Sequence, residues 1–137
     1  MADKRKYDVF LSYSAKDKEW VKAFSSELKK SGLDAWFDAA QLAPGERWRD
    51  RVQDALRESR FLIAIVSPSS IHSPWTFFEI GAAVADHKRI IPVLTGGVDW
   101  GDLPSPLTQF QGLKEQEPAD AARRVAEVLT AAGDHGA

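Results

Sequence analysis

Phe61-Leu62-Ile63-Ala64-Ile65-Val66 is an unbroken apolar run, with Arg60 before it and Ser67 after it. A strand with one face in water alternates apolar and polar residues; a strand buried on both faces does not, and such strands belong to parallel sheets covered by helices on either side. The run is therefore read as the central strand of an α/β sheet, and the rest of the chain is read outward from it.

Upstream, YDVFLSY (Tyr7 to Tyr13) makes a first strand. Trp20, Val21, Phe24 and Leu28 follow at helical spacing, with Gly32 placed to stop that helix. DAWF (Asp34 to Phe37) makes a second strand. DAAQLAPGE (Asp38 to Glu46) has no period and carries Pro44-Gly45, so it is a loop. Trp48, Val52 and Leu56 then mark a helix leading into the central strand. Downstream, Ser73-Pro74 supplies an N-cap and a proline at the first helical position, opening a helix that runs to His87. RIIPVL (Arg89 to Leu94) is a fourth strand, although Pro92 lacks a ladder donor. A Gly- and Pro-rich loop covers Thr95 to Pro106, QFQGL (Gln109 to Leu113) makes a short edge strand, and Ala121, Ala122, Val125, Val128, Leu129 and Ala132 form the apolar face of a last helix.

Strands alternating with helices imply a mostly parallel sheet, and right-handed crossovers favour one strand order. The expected fold is α/β: a flavodoxin-like three-layer sandwich with a five-stranded parallel sheet in order 2-1-3-4-5 and helices on both faces. The 137 residues are read as a single domain, with its core from residue 7 to residue 132.

Composition excludes several classes of function. Apolar residues at 44% and charged residues at 28% are those of an ordinary globular chain and argue against intrinsic disorder. A net charge of −2, with both signs interspersed, provides no phosphate-neutralising face for nucleic acid. No apolar stretch approaches the ~18–20 residues that span a bilayer, and the N-terminus lacks the apolar segment of a secretory signal. A cytoplasmic location is expected. With no cysteine there are no disulfides, thiolate metal sites or cysteine nucleophiles, and His72, His87 and His135 stand at no ligand-like spacing, so no metal and no bound cofactor is expected.

In a doubly wound sheet, ligands bind outside the carboxyl ends of the strands where the strand order reverses. That edge collects Ser12-Tyr13-Ser14, Asp38, Ser67 onward, Thr95-Gly96-Gly97 and the helix start at Trp75. SYSAKD after the first strand contains no glycine for a flavin phosphate loop. Ser67 stands where a phospho-accepting receiver needs an aspartate. The chain has no G-x-G-x-x-G, no P-loop and no G-x-S-x-G elbow. What remains is SPWTFFEIGAAVADHK, in which Glu79 is the one acid among apolar and small residues from Trp75 to Ala85. Trp75 and Glu79 are four apart and share a helix face, with the small Ala82 and Ala83 continuing the stripe. Two readings stay open on the residues alone: an aromatic plate beside an acid that holds a heterocycle and a sugar, or a surface acid on a helix whose other faces are core.

YDVFLSYSAKD, GLDAWFDAAQLAPGERW, SRFLIAIVSPSSIHSPW and KRIIPVL resemble, in order and across nearly the whole chain, the strands and connecting loops of Toll/interleukin-1 receptor (TIR) domains. Some members of that family are scaffolds acting through TIR–TIR contacts; others cleave NAD+ at the nicotinamide–ribose bond. The catalytic members carry a glutamate within a W-x-x-x-E pattern, matched here by Trp75-Thr76-Phe77-Phe78-Glu79. The resemblance implies an NAD+ nucleosidase or ADP-ribosyl cyclase of bacterial signalling, defence or effector action, with Glu79 catalytic and NAD+ as substrate. It further implies that Phe10, Ser12, Tyr13, Ser14, Asp38 and Trp75 surround the substrate, and that chains self-associate through the 38–47 loop. Ser14 and Ala15 stand where some catalytic relatives have basic residues, a departure at the diphosphate contacts.

A lone carboxylate suits this reaction. A glycosidase pairs two, one of them to protonate the leaving group. The nicotinamide of NAD+ is already cationic and leaves neutral, so the remaining task is to stabilise an oxocarbenium-like ribosyl centre and grip the ribose hydroxyls. The runner-up is a non-catalytic TIR scaffold; a weaker third reading is a nucleoside deoxyribosyltransferase relative, which also uses a glutamate on a similar sheet.

Overall fold

The computed structural model describes residues 7–36, 54–72, 89–103 and 111–136. Within them lies a parallel five-stranded sheet in the order β2-β1-β3-β4-β5. It consists of β1 (Tyr7–Ser12), β2 (Ala35–Trp36), β3 (Ser59–Val66), β4 (Arg89–Leu94) and β5 (Leu113–Lys114). The strand order is the one expected from right-handed crossovers. β3 is the centre, paired from Tyr7↔Ser59 to Ser12↔Ala64 on one side and from Phe61↔Arg89 to Val66↔Leu94 on the other. Every residue of the run Phe61–Val66 is buried, as two covered faces require.

Side-chain alternation divides the core into two layers. Val9, Leu11, Ile63, Ile65, Ile91 and Val93 face α1 (Lys18–Lys30) and α2 (Pro118–Gly136), which also pack on each other. Phe10, Leu62, Ala64, Val66, Ile90 and Leu94 face the other way, where Ala55 and Leu56 of the helical residues 54–57 cover them. Val21, Phe24 and Leu28 of α1 are fully buried, each contributing roughly 1.5–3 kcal/mol of apolar transfer. α1 ends as its sequence predicts. Gly32 has φ +86°, its N–H donates to the Lys29 carbonyl at 2.9 Å, and the Leu33 N–H donates to the Leu28 carbonyl at 3.0 Å. This is the paired-bond stop that a left-handed residue permits. No helix among the described residues is long and apolar enough to cross a membrane.

The differences from the sequence reading are local. β3 begins two residues earlier than its apolar run, because the buried Ser59 donates its hydroxyl to the Ala55 carbonyl at 2.7 Å and so enters the core without an unmet bond. Pro92 sits inside β4 between two neighbours, which its missing N–H would normally forbid. The parity of the ladder resolves this. The Thr95 N–H is directed to Val66 of β3, and the Leu94 carbonyl to Glu115 on the β5 side. Pro92, two residues before Leu94, therefore turns its missing donor toward β5, whose pairing starts only at Val93↔Leu113.

The edge strand lies at Leu113–Lys114, at and beyond the end of the expected Gln109–Leu113; residues 104–110 lie outside the described residues. Gly112 enters it at a close approach, for a Cβ there would stand 2.6 Å from the Pro92 carbonyl oxygen and 3.1 Å from Trp100 Cζ3. Gly112→Ala is therefore expected to destabilise the chain by about 1–3 kcal/mol through overpacking. The check is a lowered urea midpoint at unchanged slope.

Candidate functional site

The loops leaving β1, β3 and β4 share one edge of the sheet, and the direction of winding reverses between β1 and β3. Ser12 closes β1, fully buried and opposite Ala64. Tyr13 is half-buried and packs against the layer covered by α1 and α2. Ser14 is half-buried; its Oγ accepts the Lys16 backbone N–H at 3.3 Å, and its carbonyl accepts the Asp17 N–H at 2.9 Å. Those two bonds wind the chain into the short 3-10 turn Ala15–Asp17 that leads directly into α1.

Ser12, Tyr13 and Ser14 thus stand together at the carboxyl end of β1. Phe10 lies one pleat deeper, fully buried and stacked on Trp36 with ring centroids 5.0 Å apart and planes 15° apart. In this conformation its ring is a core group behind the edge. Trp36 is likewise buried, and its indole Nε1 has no hydrogen-bond partner among the described residues. Asp38, Trp75, Glu79 and the 38–47 loop lie outside the described residues.

The exit of β3 is a closed network of two buried serines. The Ser67 N–H donates to Ser70 Oγ at 2.8 Å, and the Ser70 N–H donates to Ser67 Oγ at 3.1 Å. Ser70 Oγ donates to the Ile65 carbonyl at 2.7 Å. Ser67 Oγ donates across the strand-order reversal to the Asp17 carboxylate at the end of the β1 turn. The reading of the sequence missed this bridge. The available signal was two serines three apart directly after the central strand, a residue type that satisfies turn backbone; nothing in the sequence aimed Asp17 at them.

β4 exits through Thr95 and Gly96, both held by Gln116. The Thr95 hydroxyl donates to the Gln116 carbonyl at 3.3 Å and the Gly96 N–H to Gln116 Oε1 at 2.9 Å, while Trp20 Nε1 of α1 donates to the same carbonyl at 2.9 Å. Gly96 has φ +68°, and a Cβ there would meet Pro68 Cδ at 2.8 Å, so the β3 and β4 exits touch. Among the described residues, the turn after β1 is thus bonded to the exit of β3, and the exit of β4 is bonded to Gln116. Among the described residues, no three acidic or histidine side chains are grouped to hold a metal ion.

Comparison with known proteins accords with this architecture. A family model described as TIR domain matches residues 9–129. The chain is 37% identical over 107 residues to the Stimulator of interferon genes protein of Magallana gigas, covering 74% of this chain and 26% of that protein. It is 32% identical over 92 residues to the 2' cyclic ADP-D-ribose synthase AbTIR of Acinetobacter baumannii, covering 64% of this chain and 34% of that one. The chain thus spans about a quarter to a third of these two curated relatives. Among solved structures, a metazoan TIR-STING receptor from C. gigas in complex with 2',3'-cGAMP superposes with a TM-score of 0.80 at 27% identity, over 94% of this chain and 41% of that one. The chain belongs to the TIR domain family.

Proposed function

We propose that this chain cleaves NAD+ at the nicotinamide–ribose bond, as a nucleosidase or an ADP-ribosyl cyclase. The observation that carries the reading is Trp75-Thr76-Phe77-Phe78-Glu79, an aromatic residue and an acid four positions apart in a chain of this family. A relative named as a 2' cyclic ADP-D-ribose synthase supports it. In the proposed step the C1′–N1 bond breaks and its electron pair goes to the pyridinium nitrogen, so nicotinamide departs neutral and needs no proton. The Glu79 carboxylate stabilises the positive charge that develops on the ribose and holds its hydroxyls, a fixed charge acting where water is thin. Water attacking C1′ and losing a proton gives ADP-ribose; attack by another atom of the same nucleotide gives a cyclic isomer. Ser12, Tyr13 and Ser14, with Phe10 behind them, lie on the ribose and diphosphate side, Asp38 stands at the root of the loop, and Trp75 stacks on a ring.

Self-association through the 38–47 loop completes the site in this proposal. The rate per chain is therefore expected to rise with protein concentration. Nicotinamide release from NAD+, followed across a concentration series beside deoxynucleoside controls, tests this. Release from NAD+ alone supports the reading. Exchange of bases on deoxynucleosides would replace it with a deoxyribosyltransferase. The match to a protein named Stimulator of interferon genes protein leaves one alternative open, a non-catalytic module acting through TIR–TIR contact; an assembled, folded sample that releases nothing would select it.

A further inference from the structure

We infer that Asp17 and Ser67 are positioning residues, a hydrogen-bonded clamp across the strand-order reversal that holds the Ser12–Ser14 turn in register with the exit of β3. Resting on the NAD+-cleavage reading, the inference adds a pair of residues that the reading does not contain.

Asp17 occupies the N-cap position of α1, where an aspartate ordinarily accepts a backbone N–H from the first helical turn. Here its side chain makes no capping bond. Its carboxylate instead accepts the hydroxyl of Ser67, fifty residues away in sequence. Ser67 is 2% exposed, and its hydroxyl is used in both directions: it receives the Ser70 N–H at 3.1 Å and gives its own proton to Asp17. Ser70, also 2% exposed, is satisfied in the same two-way fashion by the Ser67 N–H and the Ile65 carbonyl. The donor at the β3 exit is thereby fixed in direction, since any rotation of Ser67 Oγ strands a buried N–H.

At the other end, the Asp17 N–H is bonded to the Ser14 carbonyl at 2.9 Å. Displacing the Asp17 carboxylate therefore moves the turn whose residues line the proposed substrate side. A bond to an ionised acceptor is strong enough to hold such a turn against thermal opening. The clamp touches neither the proposed reacting atoms nor Glu79. Its loss should loosen ground and transition states alike, which raises KM and leaves kcat in place.

The test compares wild type, Asp17→Ala, Ser67→Ala, the double variant and Asp17→Asn. Initial rates on NAD+ are measured together with backbone hydrogen exchange of residues 14–17 in the absence of substrate. Each alanine variant is expected to raise KM about ten-fold, the scale of one hydrogen bond to a charged group, with kcat within about two-fold. The double variant should be no worse than Ser67→Ala, which by itself removes the bond to Asp17 together with the acceptor for the Ser70 N–H. Asp17→Asn keeps an acceptor for the Ser67 hydroxyl but not its charge and should recover part of the loss. Exchange at residues 14–17 should quicken in both alanine variants and less in Asp17→Asn.

An unchanged KM, independent additive effects of the two alanines, or a fall in kcat alone would each overturn the inference. If wild type releases no nicotinamide, the functional reading fails by itself. The clamp then stands or falls on exchange: quickening in Ser67→Ala supports it, and unaltered exchange at residues 14–17 refutes it.

Discussion

Glu79→Gln is expected to lower nicotinamide release from NAD+ by at least about a hundred-fold, the usual loss when one preorganised electrostatic group is removed from a transition state. Glutamine keeps the shape of glutamate and one acceptor oxygen, and replaces the charged carboxylate with a neutral amide. In the proposed reaction the charge is the functional quantity, because the leaving group needs no proton and the ribosyl centre becomes cationic as the bond lengthens. The loss should fall on kcat, with KM nearly kept, because ribose contacts through the side-chain oxygen survive. Chromatographic measurement of nicotinamide from matched, equally assembled samples checks it. Release that persists in the variant would place the stabilising charge elsewhere.

Phe10→Ala is expected to cost about 3–5 kcal/mol of folding stability, a large part of the roughly 5–15 kcal/mol that holds a domain together. Phe10 has no exposed surface and stacks on Trp36, joining the two strands on one side of the winding reversal beneath the layer that also contains Leu62 and Ala64. Truncation leaves a ring-sized cavity between β1 and β2 and removes the stacking contact. Urea unfolding followed by tryptophan fluorescence measures the loss. A variant of near wild-type stability whose NAD+ affinity drops would instead make Phe10 a ligand contact. The resemblance grouped Phe10 with the substrate side; the structure puts it behind that side, so stability is where its removal should be felt first.

The strand order was legible because its signals are local. A six-residue uninterrupted apolar run, too short for a buried helix and rich in β-branched residues, reads as a doubly covered strand, and helix-period segments on either side leave few right-handed ways to wind. Val21, Phe24 and Leu28 announced the buried face of α1 by spacing alone, and Gly32 announced its end. Ser59 was not legible as strand, since a polar residue reads as a break until the Ala55 carbonyl is seen to accept its hydroxyl. The edge strand was misplaced for a similar reason. Its position is set by how closely Gly112 passes the Pro92 carbonyl, a contact between segments far apart in sequence.

The site divides in the same way. Ser12, Tyr13 and Ser14 could be placed at the carboxyl edge from strand order alone. The Asp17–Ser67 bridge spans fifty residues, and no periodicity encodes it. It also explains why an aspartate at a helix N-terminus leaves its cap unmade. Gln116 is a second such node: its carbonyl gathers Trp20 and Thr95, and its side chain gathers Gly96, so one residue ties α1 to the exit of β4.

The central claim is that NAD+ sits at the carboxyl edge of this sheet and is cleaved there. Amide chemical shifts of the Glu79→Gln protein, titrated with NAD+ that this variant leaves intact, test it most directly. The account predicts saturable shifts concentrated at Ser12, Tyr13, Ser14, Ser67, Thr95 and Gly96, with Arg60 and Arg89 at the opposite edge unmoved. Shifts centred on Arg60 and Arg89, or none at NAD+ concentrations that saturate cleavage by the wild type, would contradict it.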